Sequence, residues 1–102
     1  MNTKLTTTGL VPLVATSIET FQLSSFLNEL PWDLTGGTVT LFFLDPAGNL
    51  TSVMAAVVGT GAVAVWTVPA APGTWSRAWL VVDSIGRTQK SLPIVFTVTN
   101  SP

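Results

Sequence analysis

The chain has 102 residues with four basic against five acidic side chains, a size for one domain with one core, and its dispersed cations (Lys4, Arg77, Arg87, Lys90) form no basic stripe for phosphates, which disfavours nucleic acid as a partner. Cysteine, histidine and tyrosine are all absent, so there is no disulfide framework, no thiolate metal site and no histidine base. Charged residues reach only 9% and hydrophobic ones 47%, where a soluble domain carries about 25% charged residues, so the surface is hard to keep polar without a partner.

Met1 to Thr8 is polar and threonine-rich, an arm or first edge strand of the kind a partner can order. Leu10 to Val14, interrupted by Pro12, reads as an edge strand or an extended connector. Residues 1–17 are accordingly set apart as an N-terminal arm or edge strand, and residues 18–102 as the folded domain. Ile18 to Leu23 has fair β propensity. Ser24 to Pro31 reads as a helical turn capped by Ser25 and ended by Pro31, or as a loop.

Thr38 to Leu44 is the most sharply drawn element, because every residue in it is β-branched, aromatic or leucine. Asp45-Pro46-Ala47-Gly48 then reverses the chain: proline presets φ at the second turn position and glycine takes the left-handed one. Leu50 to Val58 and Ala62 to Val68 look like a second hairpin around Gly59-Thr60-Gly61. Val68 to Gly73 is a rigid, twice-proline loop. Thr74 to Val82 is a long strand, Asp83 to Gly86 its turn, Arg87 to Leu92 the return, and Ile94 to Thr99 the last strand.

Some seven short strands with a turn every 8–12 residues predict an all-β, immunoglobulin-like antiparallel sandwich. No residue from Pro46 to Ser76 is charged, a run longer than the ~20 apolar residues of a spanning helix. Gly48, Gly59, Gly61, Pro69 and Pro72 break it into short pieces, which argues against a membrane segment. As a signal peptide the N-terminus is weakly formed.

Trp32-Asp33-Leu34-Thr35-Gly36 followed by Thr38-Val39-Thr40-Leu41, then Asp45 to Asn49, Val65-Trp66-Thr67, Pro72-Gly73-Thr74-Trp75 and Asp83 with Gly86-Arg87-Thr88-Gln89 resembles small immunoglobulin-like domains of tailed bacteriophages. These belong to tail, baseplate (the N-terminal part of baseplate upper proteins) and fibre-attachment proteins, and the likeness runs from about Ile18 to Thr99. The resemblance implies a non-enzymatic virion protein, in the tail, baseplate, neck or capsid decoration, that docks onto other virion proteins as a homo-oligomer or symmetric assembly.

The sequence departs from that pattern where outward positions are usually polar. Alternation puts Val39, Leu41 and Phe43 on one face of their strand and Thr40, Phe42 and Leu44 on the other. Likewise Trp75, Arg77, Trp79 and Val81 oppose Ser76, Ala78, Leu80 and Val82. Strands apolar on both sides are expected where both sides are covered. Phe42, Leu44, Leu80 and Val82 are therefore the expected centre of a protein interface. The competing expectation is that the N-terminal arm or residues 24–31 fold over that face.

No constellation for chemistry emerges. Asp33, Asp45 and Asp83 lie beside turns, where aspartate bonds to backbone, and no calcium-loop spacing occurs. Gly59-Thr60-Gly61 is no phosphate loop, so neither metal nor cofactor is expected. Four tryptophans (Trp32, Trp66, Trp75, Trp79) raise a glycan-binding alternative for host adsorption, with Trp32 beside Pro31 as the exposed platform and Trp75 and Trp79 in the core. Arg77 falls on the face of the tryptophans, either stacked on an indole or marking where the strand leaves the core.

Overall fold

In the computed structural model, which describes residues 3–8, 13–14 and 16–99, regular structure is strand alone. The elements are β1 (Thr3–Thr8), β2 (Leu13–Val14), β3 (Ile18–Leu27), β4 (Leu30–Pro31), β5 (Thr38–Leu44), β6 (Leu50–Met54), β7 (Ala56–Val58), β8 (Gly61–Thr67), β9 (Gly73–Val82), β10 (Thr88–Lys90) and β11 (Ile94–Thr99). One sheet has the order β1-β3-β8-β7, with β4 beside β3. The other has the order β2-β11-β9-β5-β6, with β10 beside β9. Neighbours are antiparallel except β2 and β11, which run parallel. Packed face to face, the two sheets form the immunoglobulin-like sandwich that the strand spacing predicts.

The core follows from strict alternation on the inner faces. Val39, Leu41 and Phe43 of β5 and Trp75, Trp79 and Val81 of β9 are buried against Phe21 and Leu23 of β3 and Ala62, Ala64 and Trp66 of β8. Two small alanines on β8 leave room for the large rings opposite, so the layers interdigitate. Phe43 stacks on Trp66 at 3.8 Å between centroids and meets Phe21 and Phe96 edge-on. Trp75 and Trp79 lie in this core, as alternation along β9 requires.

Several local expectations are corrected. Residues 24–31 form neither a helical turn nor a loop: β3 runs on to Leu27 and pairs with β4 around Asn28 and Glu29, whose φ values of 51° and 69° make the tight, left-handed hairpin turn that matches strand twist. Leu50 to Val58 is not one strand. It breaks at Ala55, whose N–H donates to Val39 O, so β6 pairs with β5 in one sheet and β7 with β8 in the other. A run apolar at nearly every position has no alternation to show which face is inner, and so hides this change of sheet. The return strand after Gly86 is only Thr88–Lys90, because Ser91 breaks pairing by bonding to Trp79 through its N–H and its hydroxyl oxygen. Leu13 and Val14 form a short strand, whereas Leu10 to Pro12 lie outside the described residues. No helix of the described residues is long and apolar enough to cross a membrane.

Candidate functional site

The register assembles the outer face of the β5–β9 sheet. Thr40 pairs with Leu80, Phe42 with Ala78 and Leu44 with Ser76 across β5 and β9, while Leu44 faces Leu50, and Thr40 faces Met54, across β5 and β6. The Thr40 hydroxyl donates to Met54 Sδ at 3.6 Å, which places both on this side. Lys90 of β10 pairs with Leu80. Together Phe42, Leu44, Leu50, Ala78, Leu80 and Lys90, with Ser76 and Pro93, line an open groove of about 470 Å³.

Three of the four interface residues expected from sequence, Phe42, Leu44 and Leu80, thus share this groove. Val82, half-buried, lies on the same face at the Thr38 and Thr88 end and does not line it. Leu44 is 42% exposed, while Phe42 and Leu80 are half-buried by their neighbours. Sequence reasoning missed Leu50, Met54 and Lys90. The Asp45–Asn49 turn held the signal, since a hairpin closed there puts Leu50 opposite Leu44.

No described residue of the two segments expected to cover this face lies over it. β1 pairs along β3 in the opposite sheet, β2 pairs with β11 at the far edge of this one, and residues 24–31 belong to the opposite sheet as well. The outer face of that other sheet mixes Thr20, Gln22, Ser24 and Thr67 with the exposed Ile18, Val58 and Val65.

Trp32 is no exposed platform. It is 2% exposed and donates its indole Nε1–H to Asp83 Oδ2 at 3.0 Å, because the Trp32–Leu34 segment turns inward between the sheets. All four indoles are buried, which removes the stacking surface a glycan needs.

Each aspartate is committed to its own turn. Asp33 accepts from the Thr35 N–H and hydroxyl, which hold its carboxyl below the usual range. Asp45 accepts from the Asn49 N–H, the Asn49 amide and the Ala47 N–H, and is lowered chiefly by the first. Burial works against the charge of Asp83, yet the Arg87 guanidinium at 2.5 Å, the Arg87 and Ile85 N–H groups and the Trp32 indole together bring it down to about 2.

Arg77 is 4% exposed, and its guanidinium carbon sits 4.5 Å from the Phe21 ring centre and 5.7 Å from that of Phe96. It therefore stacks between phenylalanines of the two sheets instead of on an indole. Nε and Nη1 are buried without a hydrogen-bond partner, and burial lowers the pKa of the group.

No protein-family model matches this sequence, and no curated protein matches it. Among solved structures, the fold is similar to part of the chitinase ChiW of Paenibacillus sp. str. FPU-7, a cell-surface-expressed multi-modular enzyme, with a TM-score of 0.52 at 17% identity. The match covers 89% of this chain and 8% of the chitinase chain, so this chain spans a small part of that protein. At that identity the likeness concerns fold alone.

Proposed function

We propose that this chain is a non-enzymatic docking module of a tailed-phage virion, which holds a neighbouring virion protein against the outer face of its β5–β9 sheet. One observation carries the docking role: a well-filled sandwich leaves Phe42, Leu44, Leu50 and Leu80 around an open groove, with no described segment of the chain over it. The virion setting rests on the sequence resemblance. The non-enzymatic reading is supported by three aspartates all engaged in turns and by the absence of histidine and cysteine.

Docking proceeds by removing apolar surface from water, at about 1.5–3 kcal/mol for each large side chain fully buried. Ordering two partners offsets part of that gain. Because the floor is set by paired backbone in β5 and β9, it is formed before the partner arrives. Lys90 at the rim supplies a single charge to orient an acidic group of the partner. The glycan alternative has no exposed indole on this face.

The test places a photo-reactive benzoylphenylalanine at position 80 in chains assembled into particles, with Thr20 of the opposite sheet face as control. Crosslinks from position 80 to another virion protein, and few from position 20, are expected. Absence of the chain from purified particles, or equal crosslinking from both faces, overturns the proposal.

A further inference from the structure

Among the described residues, β6 is the edge strand of the sheet that carries the groove. Asp45 N–H donates to Asn49 O at one end of the β5–β6 hairpin, and Ala55 N–H donates to Val39 O at the other, both at 2.9 Å. Antiparallel pairing alternates between hydrogen-bonded and open residue pairs, so these two bonds set the order along β6. Thr51 and Val53 direct their backbone groups to β5. Leu50, Ser52 and Met54 direct theirs to the open edge, and all three are exposed.

This edge has none of the usual guards against strand addition: it carries no lysine, no proline and no bulge. It is also self-complementary. Placed antiparallel against itself with Ser52 on the two-fold axis, it sets Leu50 opposite Met54 of the second copy and the two small serines opposite each other. Every outward N–H and C=O then meets a partner, since each of the three facing pairs exchanges both bonds. The nearest charged positions in sequence, Asp45 and Arg77, lie outside β6 and its turn to β7, so no like charges in the strand meet across the axis. We infer that β6 pairs with β6 of a second copy of this chain, joining two sandwiches through one continuous sheet and extending the apolar outer face across the joint.

The pairing does not depend on what the groove docks, and the variants separate the two. Light scattering of the whole chain over a concentration series gives a dimer. Ser52→Pro removes one outward N–H and no bond to β5, so it gives a folded monomer, with tryptophan near-UV circular dichroism unchanged. Leu80→Glu, on the face and away from the edge, stays dimeric. In a chain without cysteine, Ser52→Cys is a single reporter, and a short bis-maleimide links two copies at least tenfold faster than it links Thr20→Cys. A wild type that stays monomeric at the highest concentration, which would leave the edge to another protein's strand, overturns the inference. So does a dimer that survives in folded Ser52→Pro, or crosslinking of Ser52→Cys no faster than Thr20→Cys. A dimer that persists in particles lacking crosslinks from position 80 leaves the pairing standing and refutes the docking role.

Discussion

Replacing Arg77 with methionine should make the protein more stable. The guanidinium lies between the two sheets at 4% exposure, with Nε and Nη1 unbonded. Two buried donors without partners cost about 1–3 kcal/mol each. The Phe21 ring at 4.5 Å returns about 2 kcal/mol, and the Phe96 ring at 5.7 Å about half of that. What remains runs from a net gain of about 1 kcal/mol to a net cost of about 3 kcal/mol, before counting the desolvation of the charge itself, which adds to the cost. Methionine keeps most of the volume, needs no hydrogen bond and gains sulfur contacts with the same rings at about 0.3–1.5 kcal/mol. The expected gain is about 1–3 kcal/mol, within the range seen when buried charges give way to apolar side chains. For a domain of this size that raises Tm by roughly 10 °C at the centre of the range. Differential scanning calorimetry and urea melts at neutral pH measure both values. Arg77→Ala, which leaves a cavity, should fall below Arg77→Met. If Arg77→Met loses 1 kcal/mol or more, the guanidinium holds the sheets together and the reasoning is wrong.

Acid should unfold the protein through Asp83. Its folded pKa of about 2 lies below the usual carboxylate value of 3.8, so the unfolded state binds more protons in between. The stability that this group contributes is present above about pH 4 and is lost as pH falls towards 2. Urea midpoints measured from pH 5 to pH 2 should decline, and Trp32→Phe, which removes the indole donor, should lower stability at neutral pH and flatten that decline. Gly37→Ala should fail to fold or lose several kcal/mol, since a Cβ there would run into the Val82 carbonyl and the Asp83 backbone. Gly48→Ala meets nothing and should cost only the strain of its φ of +90°, about 1–2 kcal/mol; chemical denaturation of both variants ranks them. Because all four indoles are buried, tryptophan emission should be blue-shifted, resist acrylamide quenching and stay unchanged when sugars are added. Quenching by a glycan would restore the alternative reading.

Much of the fold was legible where side-chain period and turn chemistry agreed. Thr38–Leu44 and Ile94–Thr99 have the boundaries that their composition predicts, and Asp45 to Gly48 closes the turn that its proline and glycine require. Legibility failed where apolar residues fill both faces. Nothing in the run Leu50 to Val58 announces that Ala55 changes sheets, because its only polar residues, Thr51 and Ser52, are adjacent and so fall on opposite faces, which leaves no visible inner side. Asn28 and Glu29 concealed a hairpin, since glutamate is a poor marker for a left-handed turn. For the candidate site, alternation alone placed Phe42, Leu44, Leu80 and Val82 on the outer face. The burial of Trp32 needs Asp83, fifty-one positions away, to accept its indole proton, and a contact of that range leaves no local trace.

The two terminal strands leave the sandwich from opposite ends. Thr3 pairs with Leu27, next to the β4 segment that leads into Trp32 and the Asp83 end of β9. Thr99 pairs with Val14, and Val98 with Gly73, at the other end of β9. Tension applied between those ends runs along the strands, and the bonds joining β1 to β3 and β11 to β9 and β2 lie across it. They are loaded together in shear and do not open one at a time. Under a pull in line between Thr3 and Thr99, the unfolding rate, more than equilibrium stability, would set how long the fold holds.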